Sequence, residues 1–227
     1  GGYATYECTE PYDPEEVTSL EFGYKGSLGE NTSLNASLFR YDYTDFQVLQ
    51  VVGIQTVTRN AGDATVNGLE LEALSNLNDS LSMSYGLTLL DATYGEFLNT
   101  NGLEPQLGQQ QLEGKYLNNA PKVSVNLGLN YTTNLSSGSS LTYRANAAYK
   151  SKIYFSEFNE YSQSAYTIVD LNLIWESADD RMRTRFYVKN ATDEEYISGY
   201  LSSATGGGRF GQWGYPRTAG IEIQRNF

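Results

Sequence analysis

Apolar and polar residues alternate with period two in segment after segment of this chain. In the stretch 122–131, Val123, Val125, Leu127, Leu129 and Tyr131 fall on one side, and Ser124, Asn126, Gly128 and Asn130 on the other. Successive side chains of a strand point to opposite faces, so the pattern predicts strands with one apolar and one polar face. The same alternation runs through Leu20, Phe22 and Tyr24, through Leu69, Leu71 and Ala73, and through Leu81, Met83, Tyr85, Leu87 and Leu89. It returns in Leu141, Tyr143, Ala145, Ala147 and Tyr149, in Val169, Leu171, Leu173 and Trp175, and in Thr184, Phe186 and Val188. No stretch of helical period competes. The reading is nine strands, at about 17–27, 32–50, 56–76, 81–95, 122–133, 141–154, 166–176, 182–190 and 215–227, with a tenth candidate at 3–8. Around Phe39-Arg40-Tyr41-Asp42-Tyr43 the phase blurs, and a bulge is expected there.

Composition supports strands and removes most catalytic chemistry. Nineteen Tyr and nine Phe suit pleated surfaces, while Gly, Asn and Asp suit the turns between them. A net charge of −12 repels phosphate backbones, so no nucleic-acid partner is expected. The absence of histidine eliminates Ser-His-Asp and Cys-His nucleophiles, imidazole acid–base catalysis and His-ligated zinc within the chain. Cys8 stands alone, so it has no internal disulfide partner. No enzyme, cofactor or metal site is expected. No apolar window is long enough for a transmembrane helix. The start, Gly1-Gly2-Tyr3, carries no initiator Met, which is expected of a processed chain or of one beginning inside a longer protein.

The connections carry a second pattern. Links at 29–31, 77–79, 135–139 and 177–180 are short and turn-like, and they alternate with longer ones at about 51–54, 95–121, 155–165 and 191–214. A transmembrane β-barrel has this layout, with tight turns at one rim and loops at the other. Nothing forces it on a soluble sandwich. The last strand alternates Ile221, Ile223 and the terminal Phe227 against Glu222, Gln224 and Asn226. Arg225 stands on its apolar side, where it could snorkel to headgroups.

Several stretches together resemble the C-terminal part of a TonB-dependent outer-membrane receptor. They are Glu15-Glu16-Val17-Thr18-Ser19-Leu20-Glu21-Phe22-Gly23-Tyr24-Lys25-Gly26, Leu34-Asn35-Ala36-Ser37-Leu38-Phe39-Arg40-Tyr41-Asp42-Tyr43-Thr44-Asp45, and Asn60-Ala61-Gly62-Asp63-Ala64-Thr65-Val66-Asn67-Gly68-Leu69-Glu70-Leu71-Glu72-Ala73. Asn119-Ala120-Pro121-Lys122, Val188-Lys189-Asn190-Ala191-Thr192-Asp193-Glu194-Glu195-Tyr196 and Pro216-Arg217-Thr218-Ala219-Gly220 follow in family order. The resemblance implies an all-β, antiparallel barrel of 22 strands closed by a plug, of which residues 1–227 would supply about the last nine or ten. Nine strands in 227 residues extrapolate to roughly 550 for 22, before any plug. No plug or TonB box is visible, so the chain reads as a fragment, a truncated product or a piece of a split receptor. The implied partners are the remaining N-terminal barrel and plug, TonB-ExbB-ExbD acting through that plug, and outer-membrane lipid. The implied function is energy-coupled uptake of a scarce nutrient, by family frequency an iron–siderophore complex, in the bacterial outer membrane. Two alternatives stay open: a passive porin-like small barrel, and a soluble all-β binding module.

Within the barrel reading the polar faces line the lumen. Glu21, Lys25, Glu70, Glu72, Arg144, Asp170, Arg183, Arg185 and Glu222 are the candidates to meet a plug, or simply to be solvated. Ligand contacts are expected from the aromatic-rich long loops, which also contain Tyr200, and the chosen candidates are Phe155, Phe158, Tyr161, Arg209, Phe210 and Trp213. Aromatic residues also gather at membrane interfaces, and Tyr94, Tyr116 and Tyr154 are assigned there instead. Gly206-Gly207-Gly208-Arg209 lacks the strand-to-helix context of a phosphate cradle and reads as a loop.

Overall fold

The computed structural model describes residues 12–52, 55–60, 62–203 and 208–227. Its main element is a nine-stranded antiparallel sheet. We label its strands β1 (Glu16–Leu28), β2 (Thr32–Thr44), β3 (Ala64–Asn78), β4 (Leu81–Tyr94), β5 (Val123–Asn134), β6 (Ser140–Lys150), β7 (Tyr166–Glu176), β8 (Met182–Lys189) and β9 (Thr218–Arg225). Each strand pairs with its neighbours in chain order. Such a meander needs only hairpins, and the chain supplies them. Gly29 at φ 67° and Gly138 at φ 82° take left-handed turn positions. The Asn78 side chain accepts the Ser80 and Leu81 amides at 2.9 Å, and the Ser177 hydroxyl donates to Asp179 at 2.7 Å in the last turn.

At the opposite rim the chain leaves the wall four times. Each excursion carries a short ribbon of its own: 47–52 with 55–60, 98–100 with 109–111, 153–154 with 162–163, and 197–203 with 208–213. The expected strands 32–50 and 56–76 are therefore each two elements. The wall strand β2 ends at Thr44, Asp45 adopts φ 53°, and β3 begins only at Ala64. Gly62 at φ 104° makes the return, where a Cβ would collide with the Glu96 carbonyl oxygen. Period two cannot reveal such a break, because the ribbons are strands as well. The strand expected at 141–154 divides in the same way after Lys150, and the last strand is shorter than expected. The candidate strand at 3–8, including Cys8, lies outside the described residues.

No bulge interrupts Phe39–Tyr43. Pairing of β2 with β1 and with β3 runs through that stretch without a register shift. The phase blurs because the two faces change character near the rim. Phe39 faces inward opposite Glu21 and Gly68, its ring covering the space where a Gly68 side chain would stand, and Tyr41 stacks on it at 4.9 Å. Arg40 and Asp42 point outward and pair at 2.7 Å above the apolar residues. The one register shift of the β3–β4 hairpin lies instead between Asn76 and Asn78, beside its turn.

Register gathers the apolar sides of all nine strands onto one surface. Leu38 lies opposite Leu69, Leu69 opposite Leu89, and Leu89 opposite Val123. Lower on the wall, Tyr143, Leu173, Phe186 and Ile221 form another row. Among the described residues no second sheet covers this surface: Phe22 is 67% exposed and Ile221 56%. At ~25 cal/mol per Å2 of apolar area, so broad a face is costly in water and favourable only in an apolar medium. A soluble sandwich would have packed it away. The other face carries the charges, with cross-strand ion pairs Arg183–Glu176 and Arg185–Glu222, each at 3.5 Å.

These opposite demands can be measured on the whole barrel protein. Leu171 and Asn172 are adjacent in β7 but lie on opposite faces. Leu171→Arg is expected to lower unfolding stability in phospholipid vesicles by ~2–4 kcal/mol, and Asn172→Arg by less than ~1 kcal/mol. Equal effects in a urea titration would show that the faces are misassigned.

Candidate functional site

Among the described residues, the buried aromatic and aliphatic side chains that cluster together lie at the loop end of the wall. Tyr94, at the end of β4, packs with Phe97, Leu112 and Phe158, and Phe46, Val48 and Leu117 close around them. Tyr94 stands 5.5 Å from Phe97 and 6.3 Å from Phe46, centroid to centroid. Tyr94 therefore belongs to this loop core, not to the outer girdle expected for it. Phe158 is only 6% exposed, so it is a packing residue and not a ligand contact. Long-range packing decided both, and local sequence carries no trace of it.

Polar side chains finish the joint between the excursions 95–122 and 151–165. Asn159, at φ 56°, accepts the Tyr116 amide at 2.8 Å and donates to the Tyr116 carbonyl at 2.9 Å, as a strand neighbour would. Lys115 donates to the Phe158 carbonyl at 2.8 Å. Asn99 reaches Glu157 at 3.2 Å, and Asn101 reaches Glu160 at 3.0 Å. The two loops thus form one platform.

The ribbon 197–203/208–213 leans on that platform through an aromatic stack. Tyr200 lies between Phe155, at 5.9 Å and 16°, and Tyr161, at 5.0 Å and 15°. The Arg209 guanidinium covers the Tyr161 ring at 4.4 Å and donates to Glu104 at 3.2 Å. The Ile197 amide donates to Gln163 at 2.8 Å. Three of the six expected ligand contacts, Phe155, Tyr161 and Arg209, are brought together here. Alternation along the ribbon explains why Phe210 is not. Tyr200 lies opposite Gly211, so Arg209, two residues from Gly211, shares that face; Phe210 lies opposite Leu201 on the reverse face, 56% exposed. Trp213, opposite Ile197 at the ribbon's root, is 67% exposed and outside the stack.

Sequence reasoning missed the centre of the stack, Tyr200, and missed Glu104 altogether. The only available signal for Tyr200 was its place among the loop aromatics. Desolvation in the stack pushes the Tyr200 phenol up from its ordinary pKa, and the neighbouring Tyr161 adds to this. Burial alone would lower the Arg209 guanidinium, but Tyr161, Glu104 and Tyr200 outweigh it and hold it raised. The cation is therefore permanent, and it faces the loop surface. Residues 206 and 207 of the glycine run beside it lie outside the described residues.

All nine lumen candidates stand on the inner face. Glu21, Lys25, Glu70 and Glu72 line a shallow depression of about 360 Å3 together with Asn35 and Ser37. Arg144 lies between Asn130 and Asn172. Asp170 lines a smaller recess with Ser84, Asn126 and Asn146, but its carboxylate also accepts the Asn190 amide at 2.8 Å. Asn190, at φ 47° and 4% exposed, then donates to the Glu194 and Tyr215 carbonyls at 2.9 and 3.1 Å. Asp193 accepts the Arg217 amide at 2.9 Å. The Asn190-Ala191-Thr192-Asp193 stretch is thus a clasp joining the end of β8 to the start of β9.

Wall, rim loops and clasp define a class of protein: the wall of an antiparallel transmembrane β-barrel with long loops at one rim. Residues 2–191 match the family described as "TonB dependent receptor-like, beta-barrel", and the chain belongs to that family, whose members are outer-membrane proteins. It is 22% identical over 173 residues to the Ferrioxamine B receptor of Salmonella typhimurium, an alignment covering 75% of this chain and 23% of that protein. Its fold is shared with the ferric yersiniabactin uptake receptor FyuA of Yersinia pestis, at a TM-score of 0.79 and 21% identity over 96% of this chain and 31% of the other. The siderophore receptor PiuA of Acinetobacter baumannii superposes with a TM-score of 0.74 and 22% identity, over 93% of this chain and 28% of that one. The chain spans less than a third of the length of these relatives.

The loop platform makes a specific prediction. Phe158→Ala removes a ring from a closed apolar cluster, a change that typically costs ~3–5 kcal/mol. Residues 95–122 and 151–165 should become protease-sensitive together in the folded barrel, whereas Trp213→Ala leaves both resistant. Cleavage of only one of the two loops would contradict the shared core.

Proposed function

We propose that this chain forms wall and extracellular loops of an outer-membrane receptor that takes up an anionic iron–siderophore complex by an energy-coupled route. The observation that carries the proposal is the loop surface where Phe155, Tyr200 and Tyr161 stack beside the Arg209 cation. Flat aromatic rings offer stiff contact area, and a guanidinium pairs with carboxylates or chelating oxyanions in a bidentate way. Family membership and relatives named as ferric-chelate receptors support the choice of cargo. In this reading the chain is the C-terminal part of the barrel domain. The lumen charges meet the plug supplied by the rest of the receptor, and TonB, ExbB and ExbD act through that plug. The role is one of binding and passage, with no catalytic step.

In the free receptor Glu104 holds Arg209, so an anionic ligand must compete with that carboxylate. Arg209→Gln in the whole receptor should weaken binding of an anionic ferric siderophore about tenfold, which is ~1.4 kcal/mol. Glu104→Gln should strengthen it, and Phe210→Ala should leave it within about twofold. Fluorescence titration with the ferric complex reads all three. Uptake of radioactive iron as the chelate should stop when the proton gradient is dissipated. Continued uptake would favour a passive channel, and unchanged affinity in Arg209→Gln would remove this surface as the site.

A further inference from the structure

The inner face of the wall divides by charge. On β1 to β3 it carries Glu21, Glu70 and Glu72 against Lys25. The inner positions of β4 and β5, such as Ser84, Thr88, Asn126 and Asn130, are neutral. From β6 to β9 the balance reverses, with Arg144, Lys150, Arg183, Arg185 and Lys189 against Asp170, Glu176 and Glu222. A chain of net charge −12 thus lays a net positive strip along one side of its lumen.

The cations of the strip stand at successive heights. Lys150 ends β6 at the loop rim. Val188 lies opposite Leu171, and Leu171 opposite Ala145, so Lys189 stands one inward level above Arg144. Arg144 shares its row with Asn172 and Tyr187, and Arg185 and Arg183 occupy the next two rows down. Inward levels are ~7 Å apart and neighbouring strands ~5 Å. From Lys189 to Arg144 and on to Arg185 each step is therefore ~12 Å between backbones, within the joint reach of two long side chains. Tyr187 lies between two of these cations, its ring centroid 5.9 Å from the Lys189 ammonium and 5.0 Å from the Arg185 guanidinium. The same ring covers the space where a Gly220 side chain would stand, so it lies against the wall.

Pairing is graded along the strip. The two lower arginines are engaged, Arg185 with Glu222 and Arg183 with Glu176, each at 3.5 Å. Among the described residues Arg144, Lys150 and Lys189 have no carboxylate within ion-pair distance, and all three are exposed. Asp170, the nearest carboxylate by register, accepts the Asn190 amide at 2.8 Å. The strip also lies under the loop site. The excursion with Phe155 and Tyr161 leaves the wall at Lys150, and the one with Tyr200 and Arg209 leaves it at Lys189 through the clasp.

We propose that Lys150, Lys189 and Arg144 form an anion track, along which a small polyanion passes from the Arg209 surface down the β6–β8 side of the lumen and away from the acidic β1–β3 side. One sign of charge on a low-dielectric wall focuses the field and raises the local concentration of the opposite ion. Passage also requires that the anion be able to leave. Neutralisation of Arg185 and Arg183 by Glu222 and Glu176 meets that need, because attraction weakens toward the turn end of the strip. The nature of the cargo rests on the transport reading; the charge preference of the lumen does not.

The test uses the whole receptor in a planar phosphatidylcholine bilayer, with urea added to loosen the plug and citrate as the probe anion. Heat-modifiable mobility confirms that the barrel of each variant is folded. Citrate on the loop side should block the open-channel current, and the Arg144→Gln/Lys150→Gln/Lys189→Gln variant should need about tenfold more for half block. The Arg144→Lys/Lys150→Arg/Lys189→Arg variant should be blocked like the wild type. In a potassium chloride gradient the reversal potential of the Gln variant should move toward cation selectivity. No block of the wild type, or equal block of all three proteins, would overturn the proposal. So would a Gln variant that opens at lower urea with unchanged block, since the cations would then hold the plug. The current needs neither the loop ligand nor a proton gradient, so failed iron uptake would sink the transport reading and leave this result standing.

Discussion

Backbone hydrogen bonding in a medium without water is the constraint on which the rest of this structure depends. A strand in lipid must give its amides and carbonyls to neighbouring strands, because an unpaired group there costs several kcal/mol. The nine-stranded wall obeys this by pairing every strand with its neighbours in chain order, in nearly unbroken register. Register then does more than satisfy the backbone. Since the side-chain period is two, it assigns every residue to lipid or lumen, and a slip of one residue would carry Glu70 and Glu72 outward among the leucines. That is why the alternation is so clean in the wall.

The rim obeys different rules. There the chain is free of the bilayer, and it builds a small conventional core from Phe46, Tyr94, Phe97, Leu112 and Phe158. This core is what makes the loops a surface and not a set of independent excursions. Asn159 substitutes for a strand partner, and Asn99 and Asn101 tie two loops by their amides. On that fixed base the Phe155–Tyr200–Tyr161 stack and Arg209 can hold a defined geometry. Preorganised aromatic and guanidinium groups lose little entropy when a ligand arrives. The clasp at Asn190 serves the same end from the other side, since it fixes where the ribbon 197–213 leaves the wall.

The wall was legible in the sequence because each of its residues answers to one neighbouring medium. An apolar medium on one side and a polar lumen on the other write themselves into the chain one residue at a time. Near the rim this simple code fails in an orderly way. Arg40 and Asp42 are outward because lipid has ended, and Phe39 and Tyr41 are inward because they cover Gly68 and each other. The polarity had changed sides while the backbone had not, and an alternation rule reads that as a bulge. The strands at 32–50 and 56–76 were read as continuous for a related reason: a ribbon beyond the rim alternates like the wall below it.

By itself, the sequence determined the strand count of the wall, the side faced by wall residues below the rim, the rim that carries the loops, and the family. It also excluded imidazole chemistry. Tertiary structure decided which loop aromatics are buried and which are presented. Phe155 and Phe158 are three residues apart and equally apolar, yet one joins an open stack and the other fills a core. Phe210 and Arg209 are adjacent, yet a ribbon's pleat sends them to opposite faces. These outcomes depend on contacts between segments some forty to a hundred residues apart, such as Lys115 with Phe158 and Glu104 with Arg209. Local sequence records the medium a residue meets; it does not record which distant segment will arrive to cover it.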